Sequence, residues 1–447
     1  MRLLLRQSLL FTSIIIFIML APAVIFYAMG YRSKLLNSSN PSVGVLLVET
    51  TPRRAQISIN DDHKGNTPRA ITNITPGEIF LSLQKEGYLT WQKNIPITPT
   101  SVTNVTNVRL FPANIQNKLL SSNTRTFSLS PNRQLIAITG NDNTLQLIDD
   151  EGTTIMPAVS IQPNVEQTLW SPDSNYILLL TDNNISLIDI VNRKVKPTKL
   201  PVFSLLKQVV WDPRIPGRLL FLDAKEELKA YQINDNTTDL LARDVTTFST
   251  SSRHIYIVSS TNIITISDLQ GKIINSINLS DLNQISQLHI TPSGHIAIQL
   301  QDNSLSFLED NEKVLPIAQN VASTGWSPDG QMLFVQLGDS SLHVYNALNE
   351  RLPYIPFQNL QLIIRLSRQI RHPQWFAGGH HLLYQVDDEI IITEVDTRDH
   401  AISYTVDSTN TGDAQATVGH DGDVLFYLKH NNSLTELIAA NLTTDSK

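Results

Sequence analysis

Two short stretches contain residue types that could bind a metal ion. Residues 419–423 (GHDGD) place one histidine, His420, and two acids, Asp421 and Asp423, in one turn, and the carboxylates could bind Ca²⁺ through hard oxygen ligands. His380 and His381 are adjacent, but neighbouring strand residues point to opposite faces, so a shared metal is not expected. We interpret 419–423 as a turn of a repeated unit. The sequence therefore predicts no catalytic, cofactor-binding or metal-binding residues.

Three arginines form the remaining candidate feature. Arg365, Arg368 and Arg371 are spaced by three residues within the stretch 360–371 (LQLIIRLSRQIR). On a helix they would form one basic stripe that could contact a partner or lipid headgroups. We favour an outer strand or a loop for this stretch. The chain also lacks the GxSxG, GxxxxGK[ST] and HExxH motifs, which weighs against the commonest hydrolase and nucleotide-binding classes.

The composition of the chain excludes further classes of function. The 447 residues carry a net charge of −7 and have no long basic run, so no nucleic-acid partner is expected. The absence of cysteine excludes disulfides, cysteine zinc sites and thiol catalysis. Hydrophobic residues make up 41% of the chain, enough for a core, whereas charged residues make up only 17%. Uncharged polar residues take their place, as suits many short strands and tight turns.

The N-terminus predicts a membrane anchor. Residues 9–29 contain no charge, and as a helix they would span about 31 Å, enough to cross a hydrocarbon core of about 30 Å. A tail at 1–8 precedes this segment, and a linker at 30–42 follows it. Two alternatives are a buried core helix and a cleaved signal peptide, because Ala21-Pro22-Ala23 resembles a cleavage site. We favour an uncleaved signal anchor with the body of the chain outside the cytoplasm.

Residues 43–111 read as a small β domain. The stretch 55–60 alternates apolar and polar residues as a half-buried strand does, and further strands are predicted at 79–84, about Trp91 and at 102–110. Turns are predicted at 60–65 and at 75–78 (TPGE), where proline and glycine supply the geometry.

This stretch resembles the PEGA domain, a small β-sandwich of surface and envelope proteins. The resemblance rests on eight positions that match the family pattern in order: Gly44, Pro52, Ala55, Gly65, Thr67, Pro68, Gly87 and Tyr88. The signature Pro-Glu-Gly-Ala is replaced by TPGE. The resemblance implies a non-catalytic surface or adhesion module and transfers no site residues.

The rest of the chain repeats one short motif, seen best as Trp326-Ser-Pro-Asp-Gly330. Aligned anchor positions recur about every 41 residues, the length of one four-stranded propeller blade. The anchors are Leu129, Trp170, Trp211, Ser249, Ile290, Trp326, Trp375 and Val418. Each is followed by an apolar strand, a turn often rich in Asn and Asp, and a further strand ending near an acid. The bulky anchor is expected to lie between neighbouring blades.

These repeats resemble those of Tol-system and WD-repeat β-propellers, and they cover 112–447. Eight anchors favour eight blades, and seven is the alternative if one unit is irregular. The last unit has chain for only two strands after its anchor. Residues 116–121 precede the first anchor and can supply the missing outer strand, which would close the ring and remove its free edges.

The sequence thus predicts a mainly β protein: a transmembrane helix, a PEGA-like β-sandwich and a propeller. We expect a non-catalytic, membrane-anchored envelope protein that binds a protein or glycan partner on a propeller face. The alternatives are a propeller hydrolase or lyase acting on an envelope polymer, and a structural surface-layer component.

Overall fold

The computed structural model describes residues 16–18, 20–21 and 43–444, apart from 164, 182–183, 198–205, 269, 311–312, 351, 420 and 432–433. The chain divides into two compact units. One is formed mainly by residues up to Asn114, and the other comprises Ile115–Asp396 and Ala401–Leu442.

The predicted membrane anchor lies largely outside the described residues. Within the span 9–29 only 16–18 and 20–21 are described, and these are helical. In the part of the chain that the structure describes, no helix is both long enough and apolar enough to span a membrane. The tail at 1–8 and the linker at 30–42 also fall outside the described residues, so all three assignments stay predictions.

The first unit is built from two sheets. Its strands are β1 (Gly44–Thr51), β2 (Gln56–Ile59), β3 (Asp62–Asn66), β4 (Arg69–Ile74), β5 (Gly77–Gln84), β6 (Trp91–Ile97) and β7 (Val102–Arg109). One sheet has the order β4-β1-β7, with β1 and β7 parallel, and the other has the order β3-β2-β5-β6. Alternation places Leu46 and Val48 of β1 and Leu81 of β5 in the core, because successive side chains on a strand face opposite sides.

Two details of this unit correct or extend the sequence prediction. The turn predicted at 60–65 is confined to Asn60 and Asp61, whose φ angles are 49° and 68°, and β3 begins at Asp62. Two consecutive positive φ values suit the tight hairpin that joins β2 to β3.

Lys93 is fully buried, and its ammonium lies 5.7 Å from the centroid of the Trp91 ring, where the π-face stabilises the cation.

The second unit contains eight four-stranded sheets among its described residues, as the anchor count predicts. We number them in chain order. Sheet 1 comprises β9 (Thr124–Leu129), β10 (Leu135–Gly140), β11 (Thr144–Asp149) and β12 (Thr154–Ser160). Sheet 2 comprises β13 (Val165–Trp170), β14 (Tyr176–Thr181), β15 (Asn184–Asp189) and β16 (Lys194–Pro197). Sheet 3 comprises β17 (Leu206–Trp211), β18 (Arg218–Asp223), β19 (Leu228–Gln232) and β20 (Thr237–Ala242). Sheet 4 comprises β21 (Val245–Thr250), β22 (Ile255–Ser259), β23 (Ile263–Ser267) and β24 (Ile273–Asn278).

The remaining sheets follow the same plan. Sheet 5 comprises β25 (Ile285–Ile290), β26 (Ile296–Leu300), β27 (Leu305–Glu309) and β28 (Lys313–Ala318). Sheet 6 comprises β29 (Val321–Trp326), β30 (Met332–Leu337), β31 (Ser341–Asn346) and β32 (Leu360–Arg365). Sheet 7 comprises β33 (Ile370–Trp375), β34 (His381–Val386), β35 (Glu389–Glu394) and β36 (Ser403–Ser408). Sheet 8 comprises β37 (Ala416–Val418), β38 (Val424–Asn431), β39 (Leu434–Asn441) and, from upstream, β8 (Gln116–Ser121).

Strands from both ends of this unit close the ring. β8 pairs antiparallel with β39, in the register Ile438↔Leu119 and Asn441↔Gln116. Sheet 8 then packs on sheet 1 through an apolar cluster that includes Phe127, Phe426 and Leu437. The upstream strand therefore completes the last blade, as the sequence predicts.

The tryptophan anchors of sheets 3, 6 and 7 bind the backbone of the preceding sheet. The indole N–H of Trp211 donates to the Leu169 carbonyl at 2.9 Å, and that of Trp326 donates to the His289 carbonyl at 2.9 Å. Trp375 donates likewise to the Gly325 carbonyl at 2.8 Å. In each case the acceptor immediately precedes the anchor of the previous blade. The repeated tryptophan thus fixes the position of one inner strand against the next.

The turn after the anchor is held by its own side chains. Ser327 Oγ donates to Asp329 Oδ1 at 2.5 Å and accepts the Met332 N–H at 3.0 Å, and Gly330 takes a φ of +70°. This geometry identifies one wrong anchor. In sheet 4 the serine of the turn is Ser251, which accepts the His254 N–H at 3.1 Å, so the anchor is Thr250 and not Ser249.

Candidate functional site: a polar cavity at the inner strands

The first strand of a blade carries an extra residue near its start. In sheets 1 to 7 the register of this inner strand shifts by one residue, as at Val165/Gln167 in sheet 2 and Val321/Ser323 in sheet 6. Such a bulge redirects a side chain away from the regular pleat. The residue that follows the first strand position is accordingly exposed in sheet 1, where it is Arg125, and in sheet 2, where it is Glu166.

Two adjacent polar cavities lie at this end of the inner strands. The first has a volume of about 480 Å³ and is lined by residues of sheets 7, 8 and 1, among them Arg125, Gln374 and Gln415. The second has a volume of about 520 Å³ and is lined by residues of sheets 6 and 7, among them Asp339. Both cavities include His372 and Asp413 in their walls.

The two shared residues contact each other. His372 Nε2 lies 2.5 Å from Asp413 Oδ1, and both side chains are more than half exposed. His372 has a φ of 50°, in the left-handed region that a residue with a side chain seldom occupies. It lies within the bulge of β33, between Arg371 and Gln374. Twenty-one other described non-glycine residues also have a positive φ, so the bulge, and not a special strain, accounts for this conformation.

Amide side chains hold the cavity walls together. Gln415 binds both backbone groups of Phe127, donating to the carbonyl at 2.6 Å and accepting the N–H at 3.3 Å, and so links sheet 8 to sheet 1. Gln374 donates to the Ala416 carbonyl at 2.8 Å and links sheet 7 to sheet 8. Because these groups already bind backbone across the sheet boundaries, their first role is to keep the walls in place.

The charged groups of the cavities fall into two classes. The Arg371 guanidinium is fixed by Gln369 Oε1 at 3.1 Å and by the Gly412 carbonyl, and Asp413 is engaged by His372. The side chains of Arg125 and Asp339 are exposed, and neither makes a hydrogen bond or ion pair with another described residue. Among the residues that the structure describes, Arg125 in the first cavity and Asp339 in the second are thus charged side chains that no neighbouring group engages.

The adjacent histidines His380 and His381 point apart and do not converge on one position. His381 is buried against the Phe376 ring, with centroids 6.0 Å apart, whereas His380 Nδ1 lies 3.1 Å from the Tyr354 hydroxyl. Burial lowers the pKa of His380 and so favours its neutral form. The two histidines thus diverge, as expected. Of the stretch 419–423, His420 lies outside the described residues, and Gly419 and Gly422 belong to the turn after the eighth anchor.

No metal cluster is found elsewhere in the described part of the chain. Groups of three or more potential His, Asp or Glu ligands are absent from the residues that the structure describes. The acids that end several strands instead accept backbone N–H groups of the next turn. Asp149 Oδ1, for example, accepts the Thr153 N–H at 2.6 Å, and Asp268 Oδ1 accepts the Lys272 N–H at 2.8 Å.

The basic helical stripe considered for 360–371 does not form. Leu360–Arg365 is the outer strand β32 of sheet 6, and Ile370 begins the inner strand of sheet 7. Arg368 pairs with Asp387 at 2.7 Å, and Arg371 turns toward the cavity wall. The stretch therefore comprises an outer strand, the connection to the next blade and the start of the following inner strand, as favoured from the sequence, and the helical alternative is wrong.

The cavity residues were not predicted from the sequence. Arg125, Asp339, His372 and Asp413 come from four different sheets or connections and show no common spacing. Arg125 lies four residues before its anchor, at the position where the bulge exposes a side chain. This spacing could have identified it, but the position of the bulge is known only from the register of the inner strands.

Comparisons with known proteins identify both folds. Residues 43–111 match the family model described as PEGA domain, which confirms the resemblance predicted for this stretch. No curated protein sequence matches the chain. Its solved structural neighbours include the C-terminal WD40 domain of Sif2, with a TM-score of 0.52, 12% identity, and coverage of 72% of this chain and 98% of that one.

Two further structures share the fold. Dihydro-heme d1 dehydrogenase NirN, in complex with DHE, has a TM-score of 0.52 and 12% identity, over 72% of this chain and 76% of that one. A eukaryotic initiation factor has a TM-score of 0.50 and 11% identity, over 69% and 82%. At such low identity the likeness extends to the fold alone. The chain thus combines a PEGA domain at residues 43–111 with a WD40-like β-propeller.

Proposed function

We propose that the chain is a non-catalytic binding platform of the cell envelope, anchored in the membrane through residues 9–29. In this proposal the cavities on sheets 6, 7, 8 and 1 hold a protein partner, and the anchor keeps the complex at the membrane. The observation that carries the proposal is the pair of adjacent cavities that share His372 and Asp413 in their walls. Concave sites with a few convergent polar groups are where proteins bind ligands.

Several features support binding rather than turnover. The strand-end acids are engaged in turns, and the amides of the cavity wall bind backbone. The cavity walls come from several blades, and the hydrogen bonds of Gln374 and Gln415 hold those blades together. A rigid ring with variable loops is suited to recognition.

Site-specific photo-crosslinking in intact cells tests the proposal. A photoreactive amino acid at Thr417, in the first cavity, should yield one dominant heterologous product. The same amino acid at Thr237, on the exposed outer strand of sheet 3, serves as the matched control and should not yield that product. Absence of a product specific to Thr417 would refute the platform, and self-crosslinks at that position would favour a surface-layer lattice.

Two further measurements address the membrane and the enzyme alternative. Protease added to intact cells should degrade the propeller, and complete protection would contradict the extracytoplasmic placement. The full-length protein should release no product from envelope glycans or peptides. Turnover abolished by Asp413→Asn would overturn the non-catalytic assignment.

A further inference from the structure

The outer strands of the eight sheets present backbone edges on the rim of the propeller. In the part of the chain that the structure describes, no further strand pairs with the outer edge of any of them. An unpaired edge can bind the edge of another strand, and proteins prevent this with charged side chains or proline on the edge strand. The composition of each outer strand therefore indicates whether its edge is protected.

Seven of the eight outer strands carry such protection. Proline occurs in β12, β16 and β28, and the other four carry a charge: Lys118 in β8, Asp239 in β20, Arg365 in β32 and Asp407 in β36. The eighth is β24 of sheet 4 (IINSIN), which contains neither charge nor proline. The register shift at its start recurs in six other outer strands, so bulges do not distinguish β24 from them.

The exposed groups of β24 suit pairing with a second strand. Ile273 is 64% exposed and Ile274 is 55% exposed, and Asn275, Ser276 and Asn278 are exposed as well. The Ser276 N–H donates to Asn275 Oδ1 at 2.9 Å, so this backbone donor faces the free edge and not β23. An exposed amide side chain can be exchanged for the carbonyl of another strand, and pairing would also cover part of the two isoleucines.

We propose that β24 pairs antiparallel with β24 of a second copy of the chain, about a two-fold axis, so that sheet 4 of one copy continues into sheet 4 of the other. A two-fold contact brings the same strand of both copies together. A charged outer strand would then face its own charge, which is unfavourable, whereas β24 brings only isoleucine, asparagine and serine to the contact. Asparagine and serine both donate and accept hydrogen bonds, so this edge is complementary to itself and needs no partner of opposite charge.

The pairing is expected to be weak and to leave the cavities open. Six residues extend about 20 Å, and a contact of this length is smaller than the roughly 1,200 Å² of a stable interface, so we expect a dissociation constant in the micromolar range. Sheet 4 packs against sheets 3 and 5, whereas the cavities are lined by sheets 6, 7, 8 and 1. Self-pairing is therefore independent of the proposed platform, and either can fail while the other stands.

Sedimentation velocity of the full-length protein in a density-matched detergent measures the association. We expect a monomer–dimer equilibrium over about 1–100 µM. Ser276→Lys should weaken the association at least about fivefold, because two like charges would meet near the two-fold axis. Ser276→Glu should do the same, and an equimolar mixture of the two variants should recover the wild-type association, which excludes misfolding as the cause of the loss. Leu119→Lys, at a residue 54% exposed on the outer strand β8, is the matched control and should leave the association unchanged.

Spin labels measure where the two copies meet. The chain has no cysteine, so Ser276→Cys introduces a single labelling site. Paired strands lie about 4.8 Å apart, so labels at this position on the two copies should lie within about 25 Å of each other in double electron–electron resonance. Labels at Leu119→Cys, on sheet 8, should show no distance that short.

A protein that sediments as a monomer at every concentration would overturn the self-pairing and would leave the edge to a strand of another protein. The same conclusion would follow from an association that Ser276→Lys does not weaken, or that the mixed variants do not restore. Labels that lie closer at Leu119→Cys than at Ser276→Cys would place the contact elsewhere and would also overturn it. None of these outcomes bears on the platform, which depends on the product captured at Thr417.

Discussion

The contact between Trp211 and Leu169 allows a quantitative prediction about how blades are joined. Trp211 is only 7% exposed, its N–H donates to the Leu169 carbonyl at 2.9 Å, and its ring stacks on Tyr176 with centroids 6.1 Å apart. It belongs to the apolar cluster between sheets 2 and 3. The indole therefore contributes both packing and a hydrogen bond across the boundary.

These two contributions can be separated by substitution. Replacing Trp211 with 3-benzothienylalanine keeps the ring shape but removes the N–H, and leaving the Leu169 carbonyl without this donor should cost about 1–3 kcal/mol. Trp211→Ala removes the ring as well and should cost about 3–5 kcal/mol, because the cavity between the sheets would refill only in part. The free energy of unfolding is measured by urea denaturation of the full-length protein in detergent, followed by far-UV circular dichroism.

The control is Leu240→Ala on the outer strand of sheet 3. Leu240 is 45% exposed, so its truncation should change stability by no more than about 0.5 kcal/mol. If the benzothienyl variant is as stable as the wild type, the hydrogen bond does not join the blades. If Trp211→Ala costs less than about 1 kcal/mol, the anchor is not a packing element and the reasoning about the repeats is wrong.

Three further predictions follow from other contacts. Burial alone would raise the pKa of Asp407, but hydrogen bonds from Tyr427 and Lys429 outweigh it and lower the pKa. Asp407→Asn should therefore cost about 1.5–3 kcal/mol at pH 7. This loss should shrink as the pH falls below about 4 and should disappear only below the lowered pKa of the folded state, as a series of urea titrations at decreasing pH would show. Burial lowers the pKa of His289, so the unfolded chain binds more protons below about pH 6.5 and stability should fall between pH 7 and pH 5. His289→Gln should reduce that fall, measured as the urea midpoint at each pH. A midpoint that depends on pH as steeply in the variant as in the wild type would contradict this prediction. The outer strand β24 contains neither charge nor proline, and Ile273 is 64% exposed; Ile273→Lys should lower self-association in sedimentation velocity without a change in stability.

The local structure of each repeat could be predicted from the sequence with few errors. The serine and glycine of the turn after Trp326 act within a few residues of each other, so their spacing carries the geometry. In sheet 4 the motif is degenerate, and the sequence alignment placed the anchor one residue too early, at Ser249. The turn there is shorter and lacks the glycine that fixes the alignment of the clearest repeats. The turn predicted at 60–65 failed for a related reason. Polar residues of a short edge strand have the same composition as a turn.

The candidate site could not be read in this way. Arg125 and Asp413 line one cavity although almost the whole propeller sequence separates them, and their proximity results from the pairing of β8 with β39 and from the packing of sheet 8 on sheet 1. The hydrogen bonds between Gln415 and Phe127 then fix the wall. The residues adjacent to Arg125 and Asp413 in the sequence do not indicate these contacts.

The sequence by itself indicated the repeat length, favoured eight blades over seven, indicated the strand that closes the ring and excluded cysteine chemistry. These properties depend on local spacing and side-chain type, which are repeated in every unit. Only the tertiary structure decided which residues share the inner cavities, which charges remain free there, and that each tryptophan joins its blade to the one before. Those properties depend on contacts between blades, where one residue from each unit meets residues far from it in the chain.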